Sequence, residues 1–341
     1  MHVGLFMFYP RALWIGGGGE TLVRRIREYL PKTGHTTEYF NQWEPQSNFD
    51  LLHIIACNAE ILEFATVARE RGMNVILSSF EYRPWGGVRL AAGRTLCRLL
   101  SSQSNQVRRS RVLPQMNRIT ANSPAMKTYL MRYYGVEPRR CDVVPRGVDQ
   151  VFFEASPNIF TDRFGVRDFV LCVGRISQRK NQLRILRSLS RAGLNVVFIG
   201  GPEPMEEAYI KAFTEELKRH PHSLWIRDLA HNDPLLASAY AACRVHIQAS
   251  VGLPEYPGLA NVEAAAAGAR VVATRNPVTE YYLGNEVDYC RAGSESDIRR
   301  AVLGAMERAD TQALQQHVRQ FHWDQVIHEV VRSYERVLED D

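Results

Sequence analysis

The chain has 341 residues, 45% of them apolar, with 42 basic and 37 acidic side chains and a formal net charge of +5. That length suggests two domains of ordinary size, each able to bury a core. No apolar run approaches the ~20 residues of a membrane span, and the apolar start lacks the basic region and cleavage site of a secretion signal. The six cysteines, at 57, 97, 141, 172, 243 and 290, form no close pair. They read as buried thiols in a reducing cytoplasm, which argues against a structural zinc site.

In chain order, His2 to Tyr9 reads as a first strand, and 10–20 as a loop ending in GGGGE. The apolar positions Leu22, Val23, Ile26 and Leu30 follow at helical spacing. A glycine-rich turn between strand and helix lets backbone amides approach a phosphate. It is neither GxGxxG nor a P-loop. Asp50 to Ala56 and Asn74 to Ser79 read as buried strands on either side of a helix from Glu60 to Arg71. Val88 to Leu100 spaces apolar residues among arginines as a basic amphipathic helix, and Ser123-Pro124 is a helix start. Cys141 to Pro145 is a strand leading to RGVD. Periodicity is lost from Gln150 to Arg167, which is read as a linker. A second alternating set then begins: strands at 169–173, 195–199 and 224–227, with helices at 181–192, 206–219 and 234–242. Such alternation predicts doubly wound parallel α/β sheets.

The stretch from Val245 to Thr274 reads as strand, loop, helix, glycine stop and strand. Its loop therefore sits at a strand's carboxyl end, where open α/β sheets bind ligands. Glu255 lies in that loop and Glu263 on the helix, with seven residues between them. Two acids around a helix N-terminus suit a ligand with hydroxyls for the carboxylates and a phosphate for the amides. A nucleotide-sugar has both. Charge is uneven elsewhere. Between Glu81 and Glu137 no acid occurs, while Arg83, Arg89, Arg94, Arg98, Arg108, Arg109, Arg111, Arg118, Lys127 and Arg132 do. This tract, 83–132, favours an anionic partner such as a phospholipid surface, a phosphorylated acceptor or nucleic acid; the alternative is a solvated helix face.

Six segments in order resemble the retaining nucleoside-diphosphate-sugar glycosyltransferases of family 4: GGGGE at 16–20, DLLH at 50–53, the run from Ile119 to Asp149 ending in GVD, VGRISQRKN at 173–181, the E-x7-E element at 252–274, and FHWDQVIHEVVRSYERVL at 321–338. The resemblance implies the GT-B fold, two facing Rossmann-like domains with an active-site cleft between them. It implies an acceptor-side domain at 1–150 completed by the helix at 321–341, a linker at 151–167 and a donor-binding domain at 168–320. By the same resemblance Arg175 and Lys180 would bind the donor diphosphate without a metal or cofactor. Glu263 would take the ribose hydroxyls and Glu255 the sugar or reacting face. The amides of Gly258 and Leu259 would face the phosphate or sugar, Gly17 and Gly18 would meet the donor from the other domain, and the segment with Ile226 and Arg227 would hold the base. Many family members carry a histidine in the third-strand loop. Here Ser78-Ser79-Phe80-Glu81 stands there, with Glu81 as the candidate carboxylate in its place.

The function expected is transfer of a sugar from a nucleotide donor to an acceptor hydroxyl. The acceptor would be anionic or associated with a membrane or polymer, and the enzyme cytoplasmic and peripheral at a membrane face. The competing classes are a nucleotide-sugar epimerase or hydrolase on the same fold, a glycosyltransferase acting on nucleic acid, and a non-catalytic nucleotide-binding copy.

Overall fold

The computed structural model describes all residues except 9–17, 45–47, 57, 81, 85, 100–103, 228, 231–232, 253–254, 256, 309–310 and 340–341, and the side chains of 59 and 97–99. The chain forms two compact units, residues 1–147 with 323–341, and residues 148–322. Among the described residues no helix is long and apolar enough to cross a membrane.

The first unit is a parallel sheet of β1 (His2–Phe6), β2 (Thr36–Tyr39), β3 (Leu51–Ile55), β4 (Val75–Ser78), β5 (Arg118–Ala121) and β6 (Cys141–Val143), in the order β2-β1-β3-β4-β5-β6. The central strands LLHII and VILS are buried throughout, because helices cover both faces of a parallel sheet. β2 is TTEY, a polar edge strand that the apolar pattern did not predict. The helices are α1 (Gly18–Tyr29), α2 (Ala59–Glu70), α3 (Gly87–Leu99), α4 (Asn105–Val112) and α5 (Pro124–Tyr129).

The C-terminal helix Trp323–Glu339 belongs to this first unit. Val326, Ile327, Val330, Val331, Tyr334 and Val337 repeat at helical spacing and are buried in one core with Leu22, Val23 and Ile26 of α1. A Cβ on Gly147 would fall 2.4 Å from the Trp323 ring, so this approach requires glycine. Two buried polar chains fix the helix. Asp142 accepts from Arg118 Nη1 (3.1 Å), Ser333 Oγ (2.9 Å) and Arg336 Nη1 (2.8 Å). His53 links Tyr334 Oη (2.7 Å) to Ser78 Oγ (2.8 Å), which meets Thr120 Oγ1 (2.7 Å). Burial pushes the His53 imidazole down to about 3, so the chain is neutral and holds the helix to β3, β4 and β5.

The second unit holds α6 (Gln150–Phe153), α7 (Asn158–Phe164), β7 (Val170–Val173), α8 (Gln182–Ser190), β8 (Val196–Ile199), α9 (Glu207–Leu217), β9 (Leu224–Ile226), α10 (Pro234–Ala242), β10 (Val245–Gln248), α11 (Leu259–Ala266), β11 (Arg270–Thr274), α12 (Pro277–Leu283), β12 (Asp288–Cys290), α13 (Glu295–Glu307) and α14 (Gln312–Val318). Residues 151–167 are therefore not a linker. They carry α6 and α7, with Phe152 and Phe160 fully buried and the Phe160 amide donating to Ser238 Oγ at 2.9 Å. Helices of four and seven residues are too short to show a period.

The second sheet, also parallel, runs β12-β11-β10-β7-β8-β9. The chain builds outward from β7 to β9, then returns to the other side of β7 with β10 and builds outward again. The winding direction thus reverses between β7 and β10, and the loops at their carboxyl ends flank the crevice that such a reversal opens.

Candidate functional site

The loop after β7 is built by its own side chains. Ser177 N donates to Gln182 Oε1 (3.1 Å), Gln182 Nε2 to the Arg175 carbonyl (2.8 Å) and Lys180 N to Ser177 Oγ (3.2 Å). Asn181 takes the left-handed conformation at the start of α8, and its Nδ2 donates to the carbonyls of Ala249 (3.1 Å) and Ala292 (2.8 Å). Val251 N donates to the Arg179 carbonyl at 2.8 Å. The loops after β7 and β10 are thereby knitted together across the reversal.

This brings Lys180 and Glu255 into contact. Glu255 Oε1 lies 3.0 Å from Lys180 Nζ and 2.7 Å from Ser250 Oγ, and it also accepts from Arg179 Nη1. Burial opposes ionisation of Glu255. Lys180, Arg179 and the Ser250 hydroxyl outweigh it and hold the carboxyl below its ordinary range. Arg175, on the same loop, is half-exposed and turned to Glu203, with Nε 3.3 Å from Oε2. Glu203 therefore holds in place a cation that the sequence reading assigned to the diphosphate.

Gly258 caps α11 in the left-handed conformation, φ 74°. A Cβ there would meet Gln248 Oε1 at 2.4 Å and Glu255 Cβ at 3.1 Å, so only glycine lets the helix start this close to Glu255. α11 begins at Leu259 and directs its N-terminal amides and dipole to this end of the sheet. Glu263 stands one turn further on and is buried, and Tyr240 Oη donates to its Oε2 at 3.0 Å. Of the two acids of the E-x7-E spacing, Glu255 thus meets Lys180, Arg179 and Ser250, and Glu263 meets the Tyr240 phenol.

Gly200 ends β8 with φ 141°, and a Cβ there would lie 2.5 Å from the Gly174 carbonyl oxygen. At the end of β9, the Ile226 carbonyl accepts from Gly200 N (2.9 Å), so that backbone oxygen serves the sheet. Arg227 is exposed and stacks its guanidinium 4.2 Å from the Trp225 ring, whose Nε1 donates to the Gly200 carbonyl at 2.8 Å.

In the first unit Gly18 is the first residue of α1, three residues before the helix expected from the sequence, and its carbonyl accepts from Arg146. Gly17 and Glu81 lie outside the described residues. Among the described residues no cluster of His, Cys, Asp and Glu has the makings of a metal site. Cys141, Cys172, Cys243 and Cys290 are buried free thiols, with burial pushing Cys141 and Cys172 up to about 12. Arg179, Ser250 and Tyr240 escaped the sequence reading. Arg179 adjoins Lys180 and offered a signal; Tyr240, 23 residues from Glu263, offered none.

The sequence profile of Glycosyltransferase Family 4 matches residues 16–151, and that of Glycosyl transferases group 1 matches 161–315. The D-inositol 3-phosphate glycosyltransferase of Mycobacterium ulcerans is 27% identical over 247 residues, 67% of this chain and 52% of that protein. Its namesake from Kineococcus radiotolerans is 29% identical over 179 residues, 48% of this chain and 40% of that protein. The match thus spans about half the length of these curated relatives. Anabaena HepE in complex with UDP and glucose superposes with a TM-score of 0.71 at 15% identity, over 98% of this chain and 99% of that one. Sucrose-phosphate synthase from Thermosynechococcus elongatus superposes with a TM-score of 0.79 at 14% identity, over 100% of both chains. At such identities the structures speak for the fold alone. With the two consecutive profiles, they make the chain a member of the GT-B glycosyltransferases of the family 4 and group 1 type.

Proposed function

We propose that the chain transfers a glycosyl group from a nucleoside-diphosphate-sugar to an acceptor hydroxyl, with retention at the anomeric carbon and without a metal. The observation that carries this reading is the Lys180–Glu255 pair, set across the reversal of the sheet beside the N-terminus of α11. Lys180, Arg175 and the α11 amides bind the diphosphate and stabilise the charge that grows on it as the bond from C1 to its oxygen breaks. The acceptor oxygen bonds to C1 on the same face, and its proton passes to the leaving phosphate oxygen. Glu255 orients the sugar hydroxyls and Glu263 the ribose. Gly258 and Leu259 supply the amides, Ile226 and Arg227 border the base, and Gly17, Gly18 and Glu81 of the first unit serve the donor and acceptor side.

Lys180→Ala should lower turnover by about 10²–10³-fold with the melting transition intact. Unchanged turnover would remove Lys180 from the diphosphate. Coupling constants of the product's anomeric proton test retention, and activity in EDTA tests metal independence. Free or epimerised sugar from donor alone would favour the hydrolase or epimerase class.

The acceptor is anionic on this reading. The curated relatives are named for D-inositol 3-phosphate, a phosphorylated polyol, and the 83–132 tract supplies cations without acids. Arg118 departs from that picture, being buried against Asp142. A peripheral membrane location draws on α3, where Val88 and Leu96 are 89% and 56% exposed with exposed Ala92 between them at helical spacing. Nucleic acid is disfavoured as acceptor, because Tyr129, Tyr133 and Tyr134 are buried and pack against one another, the first two stacked and Tyr134 edge-on, instead of offering faces to bases.

A further inference from the structure

The two acids of the pair are held in different ways. Glu255 shares one oxygen among Lys180, Arg179 and Ser250. Glu263 is buried on α11 and takes a hydrogen bond at Oε2 from the fully buried Tyr240. The Tyr240 ring is wedged between Phe152 (centroids 5.8 Å) and His246 (5.4 Å), both edge-on and both buried. Burial raises the Tyr240 phenol far above its ordinary range and pushes the His246 imidazole down to about 3. The phenol is therefore always a donor, and the imidazole brings no charge.

A carboxylate matched by cations is suited to a site that a diphosphate also enters, since the cations are shared between the two anions. A carboxylate that accepts from a phenol locked by its packing has its orientation set by the ring that carries the donor. We infer that Tyr240 is a positioning residue that fixes the Glu263 carboxylate for the ribose hydroxyls, and so sets the preference of the donor site for ribonucleotides over 2′-deoxyribonucleotides. The inference rests on the donor reading above and adds to it a residue that no motif contains.

The test is calorimetric titration of the full chain with UDP, GDP and their 2′-deoxy counterparts. It compares the wild type with Tyr240→Phe, Glu263→Gln and the double variant. Phe keeps the ring between Phe152 and His246 and removes only the hydroxyl. Tyr240→Phe should cut the ribo-over-deoxy preference by roughly tenfold or more, the worth of one charge-assisted hydrogen bond, chiefly by weakening the ribonucleotide. Glu263→Gln should abolish the preference, and the double variant should lose no more than Glu263→Gln alone. An equal fall for both nucleotides in Tyr240→Phe, or none, while Glu263→Gln still abolishes the preference, would overturn the role of Tyr240 and leave the donor reading standing. A preference that survives Glu263→Gln would remove the ribose assignment and this inference with it. Failure of every nucleotide to bind the wild type would overturn the donor reading itself.

Discussion

At the scale of residues, chemistry follows surroundings more closely than spacing. Glu255 and Glu263 read alike in the sequence, as two acids around a helix start. In the fold one accepts from Lys180, Arg179 and Ser250, and the other accepts from Tyr240. The pairing of Glu255 has a pH signature. Its folded value lies below the ordinary 4.5, so the stability it contributes is complete above the ordinary value and is lost as pH falls through the folded one. The wild type should therefore melt above Glu255→Gln at neutral pH, and the gap should close as pH falls below the ordinary 4.5 and through the lower folded value. A gap that widens in acid would count against the pairing. The places of Arg175, Lys180 and Glu255 in loops after strands, and of Glu263 on the following helix, were legible in the sequence, because spacing from strand ends survives as sequence distance. Arg179 meets Glu255 from 76 residues away, and Asn181 reaches Ala292 from 111. Contacts of that range leave no local trace.

At the scale of elements, two junctions decide how the site and its scaffold hold. The first is the meeting of the β7 and β8 ends at Gly174 and Gly200. Gly200→Ala would force a Cβ to within 2.5 Å of a backbone oxygen in a conformation that L residues rarely adopt. It should lower stability by about 1–3 kcal/mol in urea unfolding and weaken nucleotide binding by displacing the Arg175 loop. The second is Asp142, which carries Arg118 and Arg336 on one carboxylate. Asp142→Asn leaves the buried Arg118 guanidinium without its counter-charge and should cost about 3–5 kcal/mol, read as a drop in the urea midpoint. A loss within experimental error would mean that the carbonyls of Arg139 and Arg336, which also accept from Arg118, suffice. The long buried strands and the periodic helices that the sequence analysis placed agree to within a few residues, whereas α13, thirteen residues long, was not placed. The edge strands β2 and β12 were missed because a strand with one exposed edge needs no continuous apolar run. The short helices α4, α6, α7, α12 and α14 were missed because too few turns exist to show a period.

At the scale of the molecule, the acid-free tract contributes as a surface only where the fold leaves it outside. Arg89, Arg111 and Arg132 are exposed, whereas Arg118 is internal. Binding to vesicles rich in phosphatidylglycerol should be measurable by pelleting at low salt and weaken at high salt. It should fall further with Val88→Asp or Leu96→Asp, which put an acid into the apolar stripe of α3. Binding indifferent to both salt and these changes would remove the membrane surface from the account.

By itself the sequence determined the α/β alternation, and the family resemblance supplied the helical character of the closing segment. The sequence also placed the ligand-bearing loops after particular strands, because apolar periodicity and glycine stops record which face of each element is covered and where it ends. Only the tertiary structure decided what covers each face. It set Tyr240 beside Glu263, turned Arg175 to Glu203, drew Arg118 inward to Asp142, and made residues 148–167 part of the second unit. A pattern along the chain reports that a side chain is buried. Its partner is chosen by packing among elements far apart in sequence, and the site's chemistry depends on that choice.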